Sequence, residues 1–333
     1  MTMKKNETKT TRRQFLDTSF KTAALFPLVG SGVYPKNLRE SNADKMSSTS
    51  LKILILGGSS FLGPHQIAYA LNRGHEVTMF SRGKTEPTIH KEKFKQVEKL
   101  IGDRADNLEA LKGRKWDVVI DNSGRKVSWT KATAELLKDS CKLYMYISSV
   151  SVFYPYYKAD LKESDPVILK VPTEIENEDE KMTYDYGVMK ANSVNIAMEV
   201  FGKDRTIIVR PTFMTGPADR TNRFMYWPTQ LAKGGDIIVP GGANDPVQYI
   251  DVRDIASWMI RLIENNDTGI YNGVGPASHM TLPAFVHGAH AAFGTAVNYI
   301  HIDDENFLEE NQLTFVAPSV SYTHLTLPTI CSV

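Results

Sequence analysis

The 333-residue chain has only two cysteines, Cys141 and Cys331, far apart in sequence. A disulfide-stapled scaffold is thereby excluded, and there are too few thiolates for a cysteine zinc site. Long apolar runs are missing too. No stretch of about 18 apolar residues occurs, so no conventional membrane span is expected. Net charge is almost absent, at +1 from 39 basic and 38 acidic residues. Such a balance supplies no strong positive field to offset nucleic-acid phosphates, and nucleic acid is not an expected partner. What remains is ordinary for a globular protein, with 42% hydrophobic and 23% charged residues. The length suits one large α/β domain or two small ones.

The charge balance conceals an asymmetry. Residues 1–45 hold nine basic and four acidic side chains, leaving 30 basic and 34 acidic in the remainder. Within that basic start, Thr11-Arg12-Arg13-Gln14-Phe15-Leu16 precedes a modestly apolar stretch from Phe15 to Val29. The arrangement resembles the twin-arginine export signal of bacteria. Small residues suited to a signal peptidase stand at Ser41-Asn42-Ala43 and at Gly30-Ser31-Gly32. The resemblance implies that residues 1–43 are an address read by the twin-arginine export machinery, that the protein is periplasmic, and that the fold occupies 44–333.

Leu51 to Leu56 reads as a short buried strand. Gly57-Gly58-Ser59-Ser60-Phe61-Leu62-Gly63 follows directly, then a helical pattern from Pro64 to Arg73 closed by Gly74. His75 to Phe80 reads as the next strand. A strand, a glycine loop, a helix and a strand in this order form a dinucleotide fingerprint: glycines let backbone approach a pyrophosphate, and a helix N-terminus faces its charge.

These residues resemble the extended short-chain dehydrogenase/reductase family of NAD(P)-dependent epimerases and dehydratases. Leu56 replaces that family's usual threonine and Ser60 its middle glycine, while Gly57 and Gly63 match. The implied fold is α/β, a Rossmann doubly wound parallel sheet with a smaller C-terminal substrate lobe, mainly 212–318. Its cofactor loop would comprise Gly57, Ser59, Ser60, Phe61, Leu62 and Gly63. The second strand ends in Ser81 and Arg82 rather than in the carboxylate that holds the ribose of NAD. A guanidinium there can pair with a 2′-phosphate, so NADP is favoured over NAD. Asp103 and Arg104 resemble the adenine-contacting loop. Asn122 and Ser123, after a strand from Trp116 to Asp121, would border the cofactor.

Catalysis in this family rests on a serine or threonine and a Tyr-x-x-x-Lys pair. The strand Leu143 to Ile147 runs into Ser148-Ser149-Val150, which maps the hydroxyl to Ser149. In a helix, residues four apart share a face, so an ammonium can sit beside a phenolate and lower its pKa. With 14 tyrosines, Tyr-x-x-x-Lys matches arise by chance, and two occur here. Pro155 opposes a helix between Tyr154 and Lys158. Tyr186 and Lys190 instead open a convincing helical stretch and form the expected pair. The charged run from Glu174 to Lys181 before them reads as a solvated loop. Arg210-Pro211, Gly216-Pro217 and the segment Val247 to Asp254, expected to lead into a substrate-domain helix, extend the resemblance over residues 51–275.

Val247 stands where nucleotide-sugar epimerases carry a diphosphate-binding arginine, which argues against UDP-sugars. Arg223, Tyr226, Trp227 and Gln248 are candidate substrate contacts: aromatic faces stack on sugars, and arginine binds carboxylate or phosphate. A surface helix with its aromatics in the core is the competing reading. His287, His290 and His301 lack a strong further ligand, so no metal is expected.

An exported enzyme must carry its nucleotide with it, because free NADPH is not expected outside the cytoplasm. A tightly bound cofactor then favours a redox-neutral cycle on a small sugar or polyol, as in an epimerase or dehydratase. A carbonyl reductase is the alternative. A non-catalytic nucleotide- or RNA-binding protein is another, since the chloroplast stem-loop RNA-binding branch shares the loop style. A homodimer is compatible with the family. Residues 319–333 do not continue the pattern and are expected to be a non-native tail.

Overall fold

The computed structural model describes residues 47, 49–122, 124–156, 161–220, 224–275 and 280–311. All of them lie in the second of two units into which the chain divides, residues 43–333. The export segment 1–43, the tail 319–333 with Cys331, Ser123, Arg223 and Lys158 fall outside the described residues.

The strands in chain order begin with β1 (Lys52–Leu56), β2 (Glu76–Ser81), β3 (Glu98–Ile101), β4 (Trp116–Asp121), β5 (Cys141–Ile147) and β6 (Thr206–Pro211). They continue with β7 (Phe213–Thr215), β8 (Gly235–Pro240), β9 (Tyr249–Asp251), β10 (Gly269–Gly273) and β11 (Val297–Ile302). The helices are α1 (Leu62–Asn72), α2 (Val127–Leu137), α3 (Glu178–Phe201), α4 (Tyr226–Lys233), α5 (Val252–Asn265), α6 (Leu282–His290) and α7 (Glu305–Glu310).

Seven strands form one parallel sheet in the order β10-β6-β5-β4-β1-β2-β3. Successive side chains of a strand face opposite ways, and β1 shows the consequence. Ile53 and Ile55 pack under α1 and α5, with Ile67 and Met259. Leu54 and Leu56 pack on the other side under α2 and α3, with Leu137 and Val194. A strand buried on both faces has no polar alternation, which is why it reads as a continuous apolar run. The order in which the chain adds strands reverses between β1 and β4, and the crevice beyond their C-terminal ends is the place such sheets bind ligands.

α3 begins at Glu178, well before Tyr186, so half of the run read as a solvated loop is helix. Asn177 Oδ1 accepts the amides of Asp179 at 2.9 Å and Glu180 at 3.0 Å. Glu178, Asp179 and Glu180 then place negative charge at the positive end of the helix dipole. The chain leaves α3 at Gly202, whose φ is 77°.

α5 also departs from expectation. Rather than joining the substrate lobe, it packs beside α1 on the main sheet, because Val252, Ile255, Met259 and Ile260 present one apolar stripe. Glu264 near its end accepts Arg73 Nε at 2.9 Å, an Arg73 NH2 at 2.7 Å and the His75 Nε2–H at 2.8 Å. His75 Nδ1 in turn accepts the Leu51 amide at 3.2 Å, so this cluster ties β1, α1 and α5 together.

The lobe is therefore built from two separated stretches, before α5 and after β10. Its own core joins Trp227, Leu231, Ile237, Val239, Leu282 and Phe285 from α4, β8 and α6. β8 pairs in parallel with β11, and β7 with β9.

Candidate active site

The β1–α1 loop is shaped by contact rather than by composition. Gly57 has a φ of 82°, a region side chains avoid. A Cβ on Gly63 would stand 2.3 Å from the Gly58 carbonyl oxygen, so only glycine lets α1 start that close to the loop. Ser60, at the family's middle glycine, is exposed. α1 has no side-chain cap and no acid in its first turn. Its first amides are thus unclaimed by side chains where a phosphate would sit.

A cleft of about 720 Å³ opens over this loop and the C-terminal ends of the main strands. Gly57 and the stretch from Ser59 to Gly63 form its floor, Ser81, Arg82, Gly102 and Asp103 one end, and Asn122, Ser148, Tyr186 and Lys190 the other. The described cofactor-binding expectations therefore converge on one cavity.

Arg104 also borders the cleft, but it turns inward. Its guanidinium forms a buried ion pair with Asp121 at the end of β4, one NH2–Oδ2 contact being 2.7 Å. It also donates to Thr133 Oγ1 at 2.6 Å, while Tyr144 donates to Asp121 at 2.7 Å. Arg104 thus stands on the cleft wall as expected, while its guanidinium is engaged within the fold by Asp121 and Thr133.

Lys190 is buried, 6% exposed, and its Nζ donates to the Ile147 carbonyl at 2.7 Å. That Nζ lies 5.0 Å from the Tyr146 ring and 5.8 Å from the Tyr186 ring. Burial pushes its pKa down to about 8, a shift that nearby Asp121 opposes. Tyr186 is 46% exposed and borders the cleft. The pair thus has the one-face arrangement that the helical spacing predicts, with the ammonium beneath and the phenol at the opening.

Ser149 is placed differently from this pair. It caps the short turn after β5, accepting the Ser151 amide at 3.1 Å and donating to Ser151 Oγ at 3.0 Å. The neighbouring Ser148 contributes to the cleft wall, and its own Oγ is buried without a partner. Asn122 donates to Gln66 Oε1 at 2.6 Å and leaves its Oδ1 buried and unpartnered.

In the lobe, Trp227 is fully buried in the core, so its ring offers no stacking face. Tyr226 is partly buried and meets Trp227 edge to face at 5.2 Å. Gln248 is half-buried with an unpartnered Oε1. None of these three borders the cleft around Tyr186. Val247 is core as well, 2% exposed. His290 is occupied by Thr295 O at 2.7 Å and Tyr299 OH at 2.6 Å. Among the described residues no group of His, Cys, Asp or Glu is arranged to hold a metal, and no helix is long and apolar enough to cross a membrane.

The profile of the NAD dependent epimerase/dehydratase family matches residues 53–274. The chain belongs to that family. Among relatives of this epimerase/dehydratase family member, the chloroplast stem-loop binding protein of 41 kDa b from Arabidopsis thaliana is 27% identical over 234 residues. That alignment covers 66% of this chain and 57% of the chloroplast protein. Epimerase family protein SDR39U1 of Bos taurus is 22% identical over 258 residues, 73% of this chain and 81% of that one. The dTDP-glucose 4,6-dehydratase of Bacillus anthracis in complex with NAD superposes with a TM-score of 0.60 at 17% identity, over 79% of this chain and 91% of that chain. The superposition shows a shared fold.

The cleft suits a nicotinamide dinucleotide: an uncapped helix start, a glycine cradle that a Cβ would fill, and basic rather than acidic groups after β2. Residues missing from the sequence expectations are Lys84 and Arg125, both on the cleft wall, which Arg220 also lines. Lys84 could have been read from its place two residues after Arg82. Arg125 follows the β4 terminus, where cleft residues of this fold gather, but a single exposed arginine carries no such mark in sequence.

Proposed function

We propose that the protein is an NAD(P)-dependent epimerase or dehydratase that acts on a hydroxyl of a sugar or polyol by reversible hydride transfer. The observation that carries this reading is Tyr186 at the cleft mouth with Lys190 buried beneath it. A bound nicotinamide dinucleotide supplies the hydride acceptor and donor. Tyr186 would take the proton of the substrate hydroxyl as the carbon is oxidised and return it on reduction. Lys190, charged below about pH 8, stabilises the phenolate form of Tyr186. Ser149 would orient the substrate oxygen by exchanging its Ser151 contact for it. Arg82 at the end of β2 supports a preference for NADP, because a guanidinium there pairs with a 2′-phosphate.

The proposal includes export through residues 1–43 and a redox-neutral cycle with the nucleotide retained throughout. The test is to purify the protein from cells and identify the nucleotide freed on denaturation. About one equivalent of NADP or NAD is expected. Protein that emerges empty and is turned over by added NADPH with a carbonyl substrate would replace this reading by a reductase. In Tyr186→Phe the nucleotide should remain bound while hydride exchange falls by roughly 10²-fold or more; undiminished exchange would remove Tyr186 from the mechanism.

A further inference from the structure

The cations of the cleft fall into two groups. Arg82 and Lys84 stand at the β2 end, next to Asp103. Arg125 and Arg220 line the same cleft as Tyr186, Lys190 and Met214. Arg125 is close enough to Lys190 to press its pKa down further. Neither Arg125 nor Arg220 has an ion pair or side-chain hydrogen bond among the described residues, and both are exposed. Arg104, the remaining arginine of the cleft, is neutralised by Asp121. Among the described residues that line the cleft, the only acid is Asp103, in the β2–β3 group. Arg125 and Arg220 thus add uncompensated positive charge to the cleft that holds Lys190, and like charges that share a cavity repel. An anion bound in the cleft relieves that repulsion, and the planar guanidinium fork suits an oxyanion.

We infer that Arg125 and Arg220 bind an oxyanion carried by the substrate, a carboxylate or a phosphate, beside the carbon on which Tyr186 acts. The inference rests on the proposed reading of Tyr186 and refines it: the substrate is an acidic sugar or polyol rather than a neutral one. The same charge explains why the lobe can lack an arginine at Val247, which is packed in the core. The substrate's anion is met from the main-sheet side, by the loop after β4 and by the segment after β7.

The test uses full-length protein loaded with NADP and reads binding of inorganic phosphate, D-glucuronate, glucose 6-phosphate and glucose by calorimetry. Phosphate and at least one acidic sugar should bind, with affinity falling as salt rises, and glucose should bind more weakly than its charged counterparts. Glucuronate against glucose 6-phosphate separates a carboxylate from a phosphate. Arg125→Gln and Arg220→Gln should each weaken phosphate binding about tenfold or more, with NADP affinity unchanged. Equal phosphate affinity in wild type and the double variant overturns the inference. So does a loss of NADP affinity in the variants, since the arginines would then serve the cofactor. Absorbance at about 340 nm, where the reduced nicotinamide absorbs, is followed separately. Anion binding that depends on the arginines without any hydride transfer leaves the oxyanion site standing and removes the proposed reaction. Hydride transfer from glucose that ignores both arginine substitutions does the reverse.

Discussion

Replacing Lys190 by methionine isolates the cost of burying an ammonium under the cleft. Burial lowers the lysine pKa from 10.5 to about 8. The folded state therefore releases its proton before the unfolded chain does. Between those two values the unfolded state binds more protons, and stability rises with pH. Below about 8 both states are protonated and the burial cost is fully present; above 10.5 it is relieved. Integration gives a gain of about 2 kcal/mol for the wild type between roughly pH 7 and pH 9.5. Lys190→Met lacks this increment, while every other titrating group is shared. The methionine also leaves the Ile147 carbonyl without its donor, which lowers stability at all pH values and cancels in the comparison. Urea denaturation of both proteins across that range measures the difference of the two pH profiles. Parallel profiles would show that Lys190 is not desolvated as its burial requires and stays charged well above pH 8.

Three further perturbations follow from particular contacts. Gly63→Ala places a methyl 2.3 Å from the Gly58 oxygen, so dinucleotide affinity should fall at least tenfold and stability by about 1–3 kcal/mol, read by calorimetry and thermal denaturation; a neutral result would mean the loop is not held that tightly. Arg104→Met strands a buried carboxylate and should cost roughly 3–5 kcal/mol in urea unfolding, much of it recovered by adding Asp121→Asn. A loss below about 1 kcal/mol would show that Asp121 finds another counter-charge. Arg82→Gln should weaken NADP about tenfold with little change for NAD, measured by fluorescence titration of the reduced cofactors; an unaltered ratio would remove Arg82 from cofactor selection.

Much of the architecture was legible in local pattern. β1 and β4 occupy the strand stretches read from the chain, and α1 follows the glycine loop as its fingerprint requires. The helix of Tyr186 and Lys190 was legible from spacing once Pro155 excluded the rival match. Its start was not, because Asn177 acts through a cap that only the folded turn creates. The partners of Arg104 were equally hidden. Arg104 and Asp121 are 17 residues apart and meet across the ends of two strands. Trp227 illustrates the ambiguity of an amphipathic aromatic, which core and binding surface use alike, and only its burial decides.

By itself, then, the chain's order of residues determined the doubly wound unit, its glycine loop and its Tyr-Lys pair. Each of these is a local signal, expressed in strand hydrophobicity, backbone permissiveness or helical period. Tertiary structure decided the rest. It returned α5 to the main sheet, since an apolar stripe states only that a helix is buried and not against what. It drew Arg104 under the cleft and left Arg125 and Arg220 on its wall, because the balance of charge in a site depends on distances between segments remote in sequence.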